Sequence, residues 1–277
     1  MISIITAIFN QLPMNRMFYD SIVKNTDSEF ELIIVDNCST DGSTEFFKSL
    51  GNNVHVIEND GNYTYSYCQN VGIKAAKGDV YAFLNNDIIL SPHWDSRLLQ
   101  ILGKDNYHIL SLASNDRMAT KEETTQLSRH WKHVKYPIKF LMGQRQLSLK
   151  TMIKLCYGRN WEKFCEEVWT RHGLNLRIGF SGSAIIMDKQ GLEMVGGQWD
   201  PTVQGPDFDM YLQTVKLSKE GKDIKPLSIV GGIFHHHFRR LTFYTKFPPF
   251  KDKDNIIALE QKWPEEERKE YLGLMND

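Results

Sequence analysis

The sequence predicts an α/β fold: a Rossmann-like, doubly wound mixed sheet with a helical insertion and a C-terminal helical tail. Three observations point to it. As far as Leu90, apolar runs of strand length alternate with segments of helical spacing, an order that implies parallel crossovers. The runs Phe30–Val35 and Val80–Leu84 stop at polar residues that include a carboxylate, Asp36 and Asp87, and open α/β sheets collect ligands at the carboxyl ends of their strands. From Asn115 to Arg177 the alternation gives way to a polar, basic and aromatic stretch.

Ile2 to Phe9 suits a buried first strand, Asn10 to Asn15 holds the turn residue Pro13, and Arg16 to Lys24 places Met17, Phe18, Ile22 and Val23 at helical spacing. A second strand at Phe30 to Val35 is followed by a helix at Thr44 to Leu50, a short strand at Val54 to Ile57 and a helix at Tyr63 to Lys77. Gly78 then leads into the strand that ends at Asn85-Asn86-Asp87. A helix is expected over Ser91 to Gly103 and a strand over His108 to Ala113. In the polar stretch, the spacing of Met152, Ile153, Leu155 and Cys156, and then of Trp161, Phe164, Cys165 and Val168, argues for amphipathic helices forming a subdomain or lid. Trp131, Trp161 and Trp169 suit either its core or a ligand surface.

Phe180 to Met187 reads as a strand whose small residues allow close approach to the backbone. A helix at Lys189 to Val195, a helix from Gly205 to Gly221 and a strand at Lys225 to Val230 follow. The expected division is a catalytic domain over 1–246, with halves 1–114 and 179–246 about an insertion at 115–178, and a tail at 247–277 that serves packing or association.

A net charge of -1 argues against a general nucleic-acid binder. Cys38, Cys68, Cys156 and Cys165 form no CxxC pair, which fits reduced thiols rather than a disulfide framework or a zinc site. The opening Ile2-Ser3-Ile4-Ile5 lacks a basic leader, so no secretory signal is expected. No apolar run approaches the roughly 18 residues of a membrane span. A cytoplasmic location is expected, and peripheral attachment at the inner face of the membrane is compatible with it.

Several segments resemble the family-2 glycosyltransferases of GT-A fold. Ile2 to Asn10 looks like the family's opening strand, Ile33-Ile34-Val35-Asp36-Asn37-Cys38-Ser39-Thr40-Asp41-Gly42-Ser43 resembles its VD loop, and Asn70 to Asp79 followed by Phe83 to Asp87 resembles its N-x-G-x-x-x-A-x-G-D segment and DXD-type metal motif. Phe180 to Leu212 is similar to the block that ends in the family's ED-x-D-L helix start, with Pro206-Asp207 in place of Glu-Asp. The triplet departs too, since its first position is Asn85. An amide lacks the charge that holds a divalent cation, so the free protein is expected to bind metal weakly.

The resemblance implies an inverting, metal-dependent enzyme using a nucleotide-sugar donor, most commonly a uridine diphosphate sugar, and a carbohydrate or other hydroxyl acceptor. Donor contacts are expected from Ala7, Phe9, Asn10, Asp36, Asn37, Ser39, Asp41, Asn70, Lys74, Asn85, Asn86 and Arg239. Asp36 and Asp41 would serve equally as turn or capping residues. Mn2+ or Mg2+ is expected at Asp87 with His237, and His235 next in line, because alternate residues of an extended segment share a face. Asp207 is the expected general base, and Asp209 its orienting partner or a helix cap. A sugar-1-phosphate nucleotidyltransferase is the alternative enzyme, although Asn10-Gln11-Leu12-Pro13 lacks the glycine-rich basic loop that grips a triphosphate. A catalytically silent sugar-binding protein of the same fold is the third reading.

Overall fold

Strands buried on both faces are largely apolar runs, and the first strands of this chain are such runs, with Ser3, Thr6 and Glu31 as polar residues buried within the first two. In the computed structural model, which describes residues 1–158, 160–241 and 248–276, four such runs lie parallel: β1 (Ile2–Ile8), β2 (Phe30–Asp36), β3 (Val54–Glu58) and β4 (Val80–Leu84). Their spatial order is β3-β2-β1-β4, connected by α1 (Leu12–Asn25), α2 (Ser43–Lys48) and α3 (Tyr65–Ala75). The sheet continues from β4 through β8 (Ala184–Asp188), β6 (Ile109–Ser114) and β9 (Ser228–His237) to β5 (Ile88–Leu90), while β7 (Leu176–Ile178) pairs with β9 off this path. Because β8 runs antiparallel to both β4 and β6, the sheet is mixed.

Alternation divides the core between the two sheet faces. Ile4 and Ile34 pack with Phe18, Phe47 and Trp94 on one side, while Ile5, Ile33 and Phe83 pack with Trp199 and Tyr211 on the other. The second face carries α8 (Lys189–Met194) and α9 (Pro206–Lys219). The tail closes over α9 with α10 (Leu259–Lys262) and α11 (Glu265–Gly273), burying Trp263, Tyr271 and Met275. The expected boundary between Lys246 and Phe247 lies outside the described residues.

Two helices differ from expectation. The first begins at Leu12 instead of Arg16, with Pro13 in its opening turn, where the missing N–H is not needed. Asp41 accepts the Leu12 N–H at 2.8 Å and fixes that start. The helix α4 (Trp94–Leu98) is only five residues long, and its expected continuation to Gly103 is a series of turns.

The insertion consists of α5 (Lys121–Met142), α6 (Gln146–Tyr157) and α7 (Trp161–His172). It is clamped to β9 by aromatic packing: Trp131 stands edge-on to His236 with centroids 4.6 Å apart, and Tyr157 Oη lies 2.7 Å from His236 Nδ1. Trp161 donates to the Leu90 carbonyl, and Trp169 stacks on Arg97. All three tryptophans are thus spent on packing.

Strand β9 changes partners midway. Val230 pairs with Leu112 but Phe234 pairs with the next residue, Ala113, so Gly231 to Ile233 bulge out of the ladder. Gly231 and Gly232 instead donate to the carbonyls of Asn175 and Gly173. A Cβ on Gly232 would overlap the Gly173 backbone, which cannot swing aside as a side chain can. Gly232→Ala is therefore expected to cost roughly 2–4 kcal/mol and to lower Tm by about 5–10 °C in a thermal melt. An unchanged Tm would contradict this account of how the histidine segment is held in register.

Candidate active site

The carboxyl ends of β1, β2 and β4 open onto a cavity of about 340 Å³ lined by Ala7, Phe9, Asn37, Asn85, Asn86 and Asp87, with Tyr63 and Phe250 on its rim. It adjoins a second cavity of about 560 Å³ lined by Asp116, Arg117, Ser181, Gly182, Asp207, His237 and Arg239. Tyr65 and Asn85 border both, so the two form one cleft divided at the end of β4. Tyr65 Oη at that divide is buried without a hydrogen-bond partner.

Strand pairing brings Asp87 and His237 together. The register sets Ile88 opposite His237, and the Phe238 N–H donates to the Asp87 carbonyl at 2.9 Å. Asn115, buried at the end of β6, accepts the His237 N–H at 2.7 Å and donates to its carbonyl, acting as one more ladder residue. His237 Nε2 then lies 3.5 Å from Asp87 Oδ1, and its Nδ1 lies 3.8 Å from Asp116 Oδ1. Burial alone would lower the His237 pKa, but Asp87 and Asp116 outweigh it and raise the value to about 10. Burial likewise pushes Asp116 upward and is outweighed, so that His237, Ser114 and Arg239 hold it well below the usual carboxylate range.

The residues fit a divalent cation. Asp87 Oδ1 is buried and makes no hydrogen bond among the described residues, and it shares its space with an imidazole nitrogen. A carboxylate oxygen with an imidazole suits Mn2+ and, less closely, Mg2+. No group of three His, Cys, Asp or Glu able to hold an ion occurs among the described residues, so the rest of the shell would be oxygens of other kinds, from amides, backbone or a bound ligand.

The other two histidines point elsewhere. His235 is fully buried with Nε2 at 2.8 Å from Ser183 Oγ, and burial lowers its pKa to about 3. It heads a buried chain running through Ser183, Ser181 and Ser114 to Asp116. His235 lines neither cavity, and His236 faces the insertion.

Asp207 sits in the first turn of α9, after Gly205 in the left-handed region and Pro206 at the helix start. The proline that replaces the family's Glu is thus a helix-starting residue. Burial raises the Asp207 pKa above the ordinary carboxylate value, against the opposing backbone hydrogen bonds. Gly182 lies against its carboxylate so closely that a Cβ there would overlap Asp207 Oδ2. Asp209 neither orients Asp207 nor caps the helix: it accepts Trp263 Nε1 at 2.6 Å and Lys262 Nζ at 2.7 Å, and so anchors the tail.

Six of the expected donor contacts line neither cavity. Asp36 accepts the Ser39 N–H and hydroxyl and the Thr44 hydroxyl, and Asp41 accepts from Leu12 and Ser43. Asn10 accepts the Thr40 N–H, tying the loops after β1 and β2 together. Asn70 exchanges two hydrogen bonds with the Trp199 backbone, and Lys74 is exposed in the last turn of α3. Sequence reasoning missed Asp116, although Asn115-Asp116 follows β6 as Asn86-Asp87 follows β4. It also missed Phe250, which reaches the cleft from the tail, and nothing local in the sequence marks that residue.

This sheet, with its cleft at the strand ends, has the GT-A fold of solved glycosyltransferases. One of them is GalNAc-T7 with UDP, GalNAc and Mn2+, at a TM-score of 0.58 and 14% identity over 90% of this chain and 45% of that one. The chain belongs to Glycosyl transferase family 2, whose model matches residues 3–160. An uncharacterized glycosyltransferase of Haemophilus influenzae is 33% identical over 102 residues, 37% of this chain and 34% of the relative. A putative teichuronic acid biosynthesis glycosyltransferase, TuaG of Bacillus subtilis, is 28% identical over 90 residues, 31% of this chain and 36% of the relative. The matched part is thus about a third of the length of these relatives. Asp207 and His237 lie beyond the residues that the family model matches.

Proposed function

We propose that this chain is an inverting glycosyltransferase that moves a sugar from a nucleotide diphosphate donor, a uridine diphosphate sugar first among them, to a hydroxyl acceptor in glycan or polysaccharide assembly. The observation that carries the reading is one divided cleft, with the Asp87–His237 pair at its partition and the desolvated carboxylate of Asp207 in the far compartment. Family membership and the likeness to TuaG support the glycan setting.

The nucleotide occupies the compartment walled by Ala7, Phe9 and Asn37, with Asn85 and Asn86 toward the diphosphate and sugar. Asn10, Asp36, Ser39 and Asp41 serve the donor by fixing the shape of that wall. Asp87 and His237 hold Mn2+ or Mg2+, which when bound neutralises charge developing on the departing diphosphate. Arg239, paired with Asp116 at 3.3 Å, adds positive charge on the acceptor side. Asp207 takes the proton of the acceptor hydroxyl as that oxygen bonds to the anomeric carbon. The bond from that carbon to the diphosphate oxygen breaks, the electron pair leaves with the nucleoside diphosphate, and the configuration inverts.

A thermal-shift panel of nucleotide sugars, each with and without Mn2+, tests the reading. One uridine diphosphate sugar is expected to raise Tm by several degrees with Mn2+ and by much less without it. Stabilisation by a nucleoside triphosphate alone would favour nucleotidyl transfer, and no shift with any nucleotide sugar would contradict both.

A further inference from the structure

We infer that the outer face of the α5–α6 hairpin docks this protein on an anionic lipid bilayer. Two independent observations meet on that face. The first is exposed apolar surface where the two helices join: Phe140 is 88% exposed, Leu141 74% and Leu147 67%. Tyr136 and Leu155 add to it along the two helices. A soluble surface scatters single apolar side chains, whereas a cluster rimmed by polar groups marks an interaction site.

The second observation is charge. Between Glu123 and Glu162 the chain carries eight Lys or Arg residues and not one Asp or Glu, although the net charge of the whole is only -1. The exposed positions of α5 recur at helical spacing, from Arg129 through Lys132, His133 and Tyr136 to Phe140, so one stripe grades from basic to apolar. On α6, Leu147, Lys150, Lys154 and Leu155 form a second exposed stripe. Lys150 and Lys154 have no carboxylate partner among the described residues.

A bilayer interface satisfies both features at once. Phe140, Leu141 and Leu147 would enter the boundary between headgroups and acyl chains, while the lysines meet anionic phosphates. A nucleic acid would use the charge and leave the apolar tip in water. A second copy of this chain would bring like charges together. No helix among the described residues is long and apolar enough to cross a membrane, so the contact is interfacial. The face also adjoins the chemistry: Lys132 and Tyr136 line a small cavity together with Asp116 and Arg239 of the cleft.

Co-sedimentation of the full chain with vesicles tests this. It is expected to bind vesicles of mixed phosphatidylglycerol and phosphatidylcholine, more weakly as salt rises, and to leave vesicles of phosphatidylcholine alone in large part unbound. Phe140→Ser with Leu141→Ser should weaken binding at least about tenfold, and Lys150→Glu with Lys154→Glu also at least about tenfold. All four side chains are exposed, so Tm should hold and a loss of binding reads the surface and not the fold. Failure to bind the anionic vesicles, or binding that survives both double substitutions, would overturn the inference. So would a concentration-dependent dimer, abolished by the serine pair, in a protein that ignores vesicles.

Discussion

Replacing Asp207 with Asn is expected to lower the rate of sugar transfer by about a thousandfold while leaving donor affinity within about twofold. The amide keeps the shape of the carboxylate but cannot take a proton, and Asp207 lines the compartment remote from Ala7, Phe9 and Asn37. The pH profile carries the same signature. Burial raises the Asp207 pKa, and the base works only when ionised, so wild-type activity should fall with pH through a midpoint above that of an ordinary aspartate. The residual activity of the Asn variant should lack that acidic limb. Gly182→Ala approaches the same carboxylate from behind, because its new Cβ would push Asp207 Oδ2 aside. A terminal carboxylate oxygen moves at little cost, so the rate should drop about ten- to a hundredfold with almost no change in Tm. Near-normal turnover in Asp207→Asn would remove this residue from the chemistry.

The second large effect is expected at Asp87. It is the only carboxylate lining the nucleotide-side cavity among the described residues, and its buried Oδ1 has no hydrogen-bond partner there. Asp87→Asn should reduce transfer by at least about a hundredfold and should erase most of the extra thermal stabilisation that Mn2+ adds to a bound nucleotide sugar. The fold itself should persist, because the Asp87 backbone carbonyl still accepts the Phe238 N–H. Asp207→Asn should leave the Mn2+ effect intact, so the pair of variants separates the two ends of the cleft. An Asp87→Asn protein whose rate still depends on Mn2+ as the wild type does would assign the ion to other residues.

What could be read from the chain beforehand follows from how local the governing physics is. The parallel strands were legible because burial on both faces favours largely apolar runs, and Ile2–Ile8 and Phe30–Asp36 supply them, with the buried Ser3 and Glu31 hydrogen-bonded to each other. Asp87 and His237 were legible as candidates because one ends a loop after a strand and the other shares a face of an extended segment with His235. Choosing between the histidines was not a local matter. It depends on the bulge at Gly231 to Ile233, whose partner is the turn after α7, and on Ser183, which occupies His235.

Asp36, Asp41 and Asn70 illustrate the opposite limit. Their residue types suit a ligand and a loop equally well, and in the fold they bond to neighbours distant in sequence or across a turn, Thr44, Leu12 and Trp199, which local reasoning does not foresee. Asp116 was overlooked because the resemblance fades where the insertion begins, even though the chain there repeats the pattern of a strand followed by Asn-Asp. In the tail, Trp263 packs into the core beside α9, while Phe250 reaches the cleft through a contact with no sequence signature.

The proposed chemistry needs a single arrangement, an ion held at the partition of the cleft with a proton acceptor facing it from the far compartment. A crystal grown with Mn2+ and uridine diphosphate, with the anomalous signal of manganese located in the map, measures that arrangement directly. The expected peak lies between Asp87 Oδ1 and His237 Nε2, with diphosphate oxygens completing its shell and Asp207 across the sugar site. A nucleotide-bound manganese peak remote from both residues would contradict it.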